Sequence, residues 1–364
     1  MPERIILIAE DDEEQIASWK RDITEFNREA KFGFSFSPEF VKSKGAALRA
    51  LDRMRINCAV VDLRLPETDG AAAHTQPTGN DVLQQVLIEI GVPAVVHSGY
   101  PQEASEAVRK SQIKIVEKKG GAAKEALEWL AGHEGLMSAM ETTRKKIAEE
   151  SARLFSQSIW PRWEKSWKDI KDGDALAGVI TRQTAFHVAE QLGMPPAYHH
   201  PEEFYIVPPL ATDQLGTGDL VRIENSVYAV VTPRCNMARD RYPTHVMLAL
   251  CKTMEGAWAG MRDGFGGNRE KREKAADTLH NFATQGHSTS THFLPPCGEE
   301  GPWLADFREI MTIPSEKLLE LLKTRFASVA AQFVPNLVQR YAAYQGRIGQ
   351  PDLDFDILKA HVCK

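Results

Sequence analysis

The fold of this chain is constrained most by an alternation of short apolar runs with amphipathic stretches, repeated five times in the first third of its 364 residues. The apolar runs are RIILIAE, FGFSFS, CAVVDL, PAVVHSG and IKIVEK. Helices are predicted after them, near residues 13–29, 42–54, 80–90 and 102–111 and from about residue 121. Apolar runs separated by amphipathic helices are typical of a parallel sheet covered on both faces. The sequence therefore predicts an α/β domain, a doubly wound five-stranded parallel sheet, over residues 1–134.

One stretch departs from this alternation. After the third apolar run, the residues AAAHTQPT between Gly70 and Gly79 follow no helical period. We interpret them as an insertion that lengthens the loop after the third strand.

The texture of the sequence changes after residue 135. A charged amphipathic helix (METTRKKIAEESARLF), a tryptophan-rich segment (IWPRWEKSW) and a helix near 174–193 predict a helical connector over residues 135–200. Strand patterns then follow, including a predicted hairpin of LVRIE and VYAVVT joined by Asn-Ser. The segment MRDGFGGNREKREKAAD is predicted to be an exposed excursion, and the chain is predicted to be helical from Ser315. Residues 201–364 thus predict an α+β domain with a small sheet or partial barrel.

Composition excludes several classes of protein. Lys and Arg number 44 against 50 Asp and Glu, so the net charge of −6 argues against a whole-chain nucleic-acid binder. The chain has no apolar run of ~18 residues and no signal-peptide pattern, from which we expect a soluble cytoplasmic protein that does not bind a membrane. Its five cysteines are odd in number and lack a CxxC spacing, which argues against a disulfide framework and a tetrahedral zinc site.

Polar residues follow the ends of four predicted strands. Glu10 and Asp11 follow the first, Asp62 ends the third, Ser98 the fourth and Lys118 the fifth. In an open parallel sheet these ends meet at one crevice. Carboxylate oxygens are ligands that Mg²⁺ prefers. Phosphoryl transfer to a carboxylate needs such a metal ion, a nucleophilic Asp and a cation that holds the product oxygen. The sequence therefore predicts a magnesium-dependent phosphoacceptor site.

This arrangement resembles the response-regulator receiver family over residues 1–134. The resemblance assigns the acidic metal-binding pair to Glu10 and Asp11, with Asp12 as the alternative register, and the phosphoacceptor to Asp62. It assigns the hydroxyl switch to Ser98, the phosphate-binding lysine to Lys118, and a metal-ligating backbone carbonyl to Arg64; Pro66 also matches the family's loop. It implies Mg²⁺ as cofactor and a histidine kinase or kinase-like protein as partner.

The chain also departs from the family pattern. Lys119 stands where the family has proline, and Ile115 stands where it has the switch aromatic. These departures put the usual switching surface in doubt. Two alternatives stay open: each strand-end Asp taken alone can be a helix cap, and the protein can be a non-phosphorylated scaffold with a degenerate receiver.

Residues 218–238 faintly resemble the opening hairpin of SH3-like barrels, including toxin ribonucleases of the PemK type. An alternative function is therefore a phosphorylation-gated effector enzyme such as a nuclease, which predicts that Asp219, Arg234, Cys235 and the histidines converge on one pocket. For Cys235 a buried thiol is the favoured interpretation. The spacing of His280, His287, His292 and Cys297 fits no zinc pattern, so loop or capping roles are favoured for these histidines.

Trp160, Trp163 and Trp167 share one face if the segment is helical, which favours burial against the sheet or a partner over base stacking. Residues 140–167 are accordingly a predicted surface for a protein partner. The sequence shows no basic recognition helix, so the leading hypothesis is a response regulator whose C-terminal unit is an output or adaptor, with enzymatic activity beyond the receiver's own phosphorylation uncertain. A loose resemblance to receiver-bearing proteins of bacterial conflict systems implies an antiphage role.

Overall fold

The computed structural model describes residues 2–71, 76–170, 172–193, 198–210, 213–237, 243–347 and 352–363. The chain divides into two compact units, residues 1–194 and residues 195–364. The finer division at residues 134 and 200 stays a prediction.

The first unit contains a five-stranded sheet in which every pair of neighbouring strands is parallel, in the order β2-β1-β3-β4-β5. The strands are β1 (Glu3–Ala9), β2 (Ser35–Val41), β3 (Cys58–Val61), β4 (Ala94–Ser98) and β5 (Lys114–Glu117). The helices are α1 (Glu13–Glu29), α2 (Lys44–Arg53), α3 (Gly79–Gln85), α4 (Glu106–Lys110), α5 (Ala122–Ala131), α6 (Glu134–Leu154), α7 (Trp160–Lys165) and α8 (Gly173–Leu192). This strand order is that of the flavodoxin-like doubly wound fold. The predicted α/β fold class is confirmed.

Two apolar layers cover the sheet. On one face, Val61 and Val96 pack with residues of α2, α3 and α4. On the other face, Val60 and Val95 pack with Trp19 of α1 and with residues of α5. All four residues of β3 are buried, because its side chains meet helices on both faces.

The loop after β3 is only partly described, since residues 72–75 of the predicted insertion lie outside the described residues. The helix predicted near 80–90 begins at Gly79, and its last turn, 86–90, has the wider π-helical hydrogen bonding. It ends at Gly91, whose φ of 62° is a left-handed conformation that favours glycine.

Helix α6 is attached to the β-sheet part of the first unit by polar contacts with a buried arginine and by apolar packing. Arg4 of β1, whose side chain is 7% exposed, forms ion pairs with Glu134 at 2.6 Å and with Glu141. Met137 of α6 is buried in the same layer as Trp19. The helix therefore continues the core beyond residue 134.

The predicted tryptophan face is not formed as expected. Helix α7 ends at Lys165, and Trp167 lies in a 3₁₀ turn rather than on the same helix. Trp160 and Trp163 are 53% and 37% exposed, so burial against the sheet is wrong for these two. A π-helical turn at 155–159 precedes α7. Burial against a partner stays a prediction.

The second unit contains a seven-stranded antiparallel sheet in the order β10-β11-β9-β8-β7-β12-β6. Its strands are β6 (Tyr205–Ile206), β7 (Asp219–Ile223), β8 (Ser226–Val230), β9 (His245–Thr253), β10 (Thr291–Leu294), β11 (Trp303–Pro314) and β12 (Arg325–Val329). Its helices are α9 (Glu255–Phe265), α10 (Arg269–Ala283), α11 (Leu318–Thr324), α12 (Val334–Gln345) and α13 (Phe355–Val362). The sheet is curled, and the predicted α+β character of this part is confirmed.

The polar segment 261–277 is largely exposed, as predicted, and it forms parts of two helices, α9 and α10, with Asn268 as the cap of α10. Two other local predictions in the second unit are wrong. The region after Ser315 is interrupted by β12, which pairs with both β7 and β6. The β7–β8 turn lies at Glu224-Asn225 rather than Asn-Ser, with Glu224 at a φ of 52°.

Within the described ranges, each helix lacks the combination of length and apolar composition that crossing a lipid bilayer requires.

Candidate functional site

Three carboxylates meet at the carboxyl ends of the parallel strands. Glu10 and Asp11 follow β1, and Asp62 follows β3, which is the direct neighbour of β1. One oxygen atom from each of the three lies within 4.8 Å of the others. Their proximity follows from the parallel pairing, which brings the ends of β1 and β3 to the same edge.

Lys118 bridges two of these carboxylates. Its Nζ lies 2.7 Å from Oε2 of Glu10 and 2.7 Å from Oδ2 of Asp62. The Lys118 N–H donates to the carbonyl oxygen of Ser98 at 3.0 Å, which fixes the end of β5 beside β4. The structure thus brings Glu10, Asp11, Asp62 and Lys118 into one site.

Burial controls the ionisation of this site. The Glu10 side chain is 2% exposed, and burial raises its pKa to about 7, although Lys118 acts in the opposite direction. Burial also raises the pKa of Asp11, and the Asp62 charge adds to this shift. For Lys118, burial acts to lower the pKa, but the charges of Glu10 and Asp62 outweigh it and the pKa is raised. A divalent cation would therefore replace a proton on Glu10 and relieve the crowding of negative charge.

Asp12 has a different role from the other two acidic residues. Its Oδ1 accepts hydrogen bonds from the backbone N–H groups of Glu14 at 2.8 Å and Gln15 at 3.1 Å, which makes it the N-cap of α1. Of the two registers, the structure places Glu10 and Asp11 beside Asp62. The helix-cap alternative applies to Asp12.

Ser98 is fully buried at the end of β4, and its Oγ accepts a hydrogen bond of 3.3 Å from the Tyr100 N–H. Its hydroxyl is therefore tied to the loop that follows the strand. Arg64 lies two residues beyond Asp62, and its N–H points to Oδ1 of Asp62 at 3.4 Å, too long for a strong hydrogen bond. The Arg64 carbonyl oxygen stays a predicted metal ligand.

Gly79 is a site residue that the sequence reasoning did not identify. Its N–H donates to the carbonyl oxygen of Leu63 at 2.8 Å, so the first residue of α3 lies against the backbone of the acceptor loop. A Cβ at this position would lie 2.0 Å from the carbonyl oxygen of Asp62. Only glycine permits this approach. The contact crosses the loop insertion, so no local pattern signals it.

The Arg64 side chain also belongs to the site, whereas the sequence suggested only its carbonyl. Its guanidinium donates from Nε to Oε2 of Glu103 at 2.9 Å and from a terminal nitrogen to Oε1. The same guanidinium lies over the ring of Tyr100, with Cζ 3.4 Å from the ring centroid. These contacts join the loop after β3 to the loop after β4.

The residues singled out in the second unit do not form one site. Asp219 and Arg234 border one cavity of about 320 Å³. Asp219 accepts hydrogen bonds from the Gly216 N–H at 2.7 Å and from Ser328 Oγ at 2.5 Å, and it forms an ion pair with Arg325. Its contacts are those of a residue that fixes the turn before β7.

Cys235 and the histidines do not line that cavity. Cys235 is exposed, so the favoured interpretation of a buried thiol is wrong; it lies after β8, on a turn that leaves the sheet. His287 Nε2 lies 2.7 Å from Thr291 Oγ1, and His292 is buried in β10. Among the residues that the structure describes, the only carboxylate, histidine or cysteine group arranged to hold a metal is that of Glu10, Asp11 and Asp62. The convergence predicted for a nuclease effector is not found there.

No family model matches this chain, and neither does any curated protein. Among solved structures, it is similar to a CheY-like response regulator receiver domain from Methylobacillus flagellatus, at 19% identity and a TM-score of 0.27, covering 35% of this chain and 98% of that one. It is similar to a CheY-like receiver domain protein from Methanospirillum hungatei, at 19% identity and a TM-score of 0.28, covering 38% and 98%.

A third similar structure is the receiver domain of a sensor histidine kinase from Pseudomonas aeruginosa, with a magnesium ion coordinated in its active-site cleft. It is 18% identical, has a TM-score of 0.26, and covers 35% of this chain and 98% of that one. The second unit has no counterpart in these neighbours. By its strand order and parallel pairing, the first unit has the fold of response-regulator receiver domains.

Proposed function

We propose that the chain is a response regulator, in which Asp62 accepts a phosphoryl group and the second unit serves as output or adaptor. The observation that carries this proposal is the Lys118 ammonium bridging Glu10 and Asp62 inside a cluster of three carboxylates. A structural ion pair needs one carboxylate. Three crowded at one strand edge, with raised pKa values for two of them, favour a site built to bind a divalent cation.

The donor is proposed to be a phosphohistidine of a histidine kinase or kinase-like partner. A carboxylate oxygen of Asp62 attacks the phosphorus atom, the bond from phosphorus to the imidazole nitrogen breaks, and the imidazole takes up a proton. The product is an acyl phosphate on Asp62.

Mg²⁺ held by Glu10, Asp11, Asp62 and the Arg64 carbonyl would neutralise the phosphate oxygens. Lys118 already lies against Asp62 and is placed to hold a product oxygen as a compact cation. Ser98, buried at the end of β4, is placed to report the new group to the loop that begins at Tyr100.

Labelling with a small phosphodonor tests this function. Wild-type full-length protein, incubated with acetyl phosphate and Mg²⁺, should gain one hydroxylamine-sensitive phosphoryl group by intact mass. Asp62→Asn should gain none. Asp12→Asn is the matched control, because asparagine caps a helix as well as aspartate and this residue lies outside the cluster. Undiminished labelling of Asp62→Asn would contradict the assignment, as would an unlabelled wild-type protein that binds neither Mg²⁺ nor beryllofluoride.

A further inference from the structure

The Arg64 guanidinium is held at three points beside the acceptor. Two donors reach the two carboxylate oxygens of Glu103, and Cζ lies 3.4 Å from the centroid of the Tyr100 ring. Stacking on an aromatic face uses none of the N–H donors of arginine. Among the residues that the structure describes, Glu103 is the anionic hydrogen-bonding partner of the guanidinium, and the Arg64 backbone N–H lies 3.4 Å from Oδ1 of Asp62.

Glu103 belongs to a segment that is held at its other side by a separate contact. Asn80 of α3 donates from Nδ2 to the Glu103 carbonyl oxygen at 3.0 Å and accepts from the Ser105 N–H at 2.8 Å. The backbone of residues 103–105 is thus attached to α3, whereas the side chains of Glu103 and Tyr100 are attached to Arg64. Loss of the Arg64 contacts would free the side chains of Tyr100 and Glu103 and loosen the turn 100–103, while Asn80 still holds the Glu103 carbonyl and Arg109 the Gln102 carbonyl.

Phosphorylation changes the competition for this guanidinium. A phosphoryl group carries about −1.5 to −2 charge and three acceptor oxygens, and the planar fork of arginine binds phosphate in the same bidentate way as carboxylate. Glu103 offers a single negative charge, and its side chain is 24% exposed to water. The anion added at Asp62 is therefore the stronger partner.

We propose that Arg64 reads the state of Asp62 by exchanging partners: it binds Glu103 and Tyr100 when Asp62 is unmodified, and the phosphoryl group when it is modified. This inference rests on the proposed function of Asp62. Ile115 stands in place of the switch aromatic, and its aliphatic side chain packs in the apolar layer of α2, α3 and α4. In this proposal Arg64, Glu103 and Tyr100 transmit the signal instead. The exchange releases the side chains of Tyr100 and Glu103 and so loosens the turn 100–103.

Two substitutions that break the same ion pair separate this exchange from a structural role. Arg64→Met removes the guanidinium and should weaken beryllofluoride binding in the presence of Mg²⁺ by about tenfold, as expected for a charge-assisted hydrogen bond. Glu103→Gln removes the competitor and should strengthen it by about threefold, since exposed ion pairs are weak. Arg64→Lys, which retains the charge without the fork, should lie between Arg64→Met and wild type. The affinities are measured on the full chain by fluorine NMR.

Glu106→Gln is the matched control. Glu106 lies three residues from Glu103 and pairs only with Lys110 on the surface among the described residues, so its loss should leave the affinity unchanged. Hydrogen exchange provides the second measurement. In wild type, beryllofluoride should speed hydrogen exchange at residues 100–103. Glu103→Gln should show faster exchange at these residues already without beryllofluoride. In Arg64→Met, beryllofluoride should not change the exchange at these residues.

If the Arg64–Glu103 ion pair has only a structural role, Arg64→Met and Glu103→Gln should shift the beryllofluoride affinity in the same direction. That result would overturn the exchange. A wild-type protein that binds beryllofluoride without any exchange change at 100–103 would also overturn it, while the assignment of Asp62 would stand. A wild-type protein that binds no beryllofluoride would refute both. Opposite shifts in the two variants, with Glu106→Gln unchanged, support the exchange.

Discussion

The buried carboxyl of Glu10 offers the sharpest test of the site, through the substitution Glu10→Gln. Its side chain is 2% exposed and its pKa is raised from 4.5 to about 7, mainly by burial. Because the folded protein holds this proton more tightly than the unfolded chain, the stability that the protonated form contributes is fully present below pH 4.5. It is lost as the pH rises through about 7.

The size of the effect follows from those two values. At pH 8 an ionisable group with these pKa values lowers the free energy of unfolding by about 3 kcal/mol relative to a neutral isostere, and at pH 5 by about 1 kcal/mol. Glutamine is close to that isostere. Glu10→Gln should therefore stabilise the metal-free protein strongly at pH 8 and only slightly at pH 5. His97, whose pKa burial lowers to about 4, contributes equally to both proteins and cancels in the difference.

Calorimetry of the full chain measures this difference, with the transition of the first unit identified by its shift on adding Mg²⁺. The same substitution should weaken Mg²⁺ binding, because an amide oxygen replaces a carboxylate ligand. Saturating Mg²⁺ should thus reverse the order of the two melting temperatures at pH 8. In wild type, the apparent Mg²⁺ affinity should fall about fivefold between pH 7 and pH 6, because the metal competes with the proton on Glu10.

Glu13→Gln is the control, since Glu13 forms a surface ion pair with Lys42 and should show neither effect. If Glu10→Gln is less stable than wild type at both pH values by the same amount, Glu10 is an ionised structural partner of Lys118 and the reasoning is wrong. Mg²⁺ binding unaffected by the substitution would exclude Glu10 as a ligand.

Two further predictions concern how the fold supports the site. Gly79→Ala should destabilise the first unit by ~3 kcal/mol or more and weaken Mg²⁺ binding, because the new Cβ would lie 2.0 Å from the Asp62 carbonyl oxygen. Gly99→Ala is the control and should be tolerated, because a Cβ there meets no atom within 4 Å. Equal melting temperatures for the two variants would contradict the close approach. A fragment of residues 1–134 should unfold more easily than one of residues 1–155 by ~3 kcal/mol, since it loses buried Met137 and one of the two partners of Arg4. Identical denaturant midpoints for the two fragments would show that α6 is not part of the first core.

The sequence was sufficient to predict the first fold and the proximity of Glu10, Asp62 and Lys118. Short apolar runs such as CAVVDL alternate with amphipathic helices, and this pattern fits a parallel sheet because both faces must be covered. Parallel strands end at a common edge, so placing Glu10, Asp62 and Lys118 at strand ends was enough to predict that they meet. The contacts at 2.7 Å agree with that expectation.

Tertiary structure decided what local patterns leave open. Asp11 and Asp12 are equivalent in sequence, and only the start of α1 makes Asp12 a cap and leaves Asp11 beside Asp62. Arg64 meets Glu103 across 39 positions, a distance at which periodicity carries no information. The strand β12 follows helix α11 directly and extends only because β7 and β6 supply its hydrogen-bonding partners. Strand formation and long-range ion pairs depend on residues that are distant in sequence. The amphipathic period of a helix and the residues at the end of a strand can be read from a short stretch of sequence.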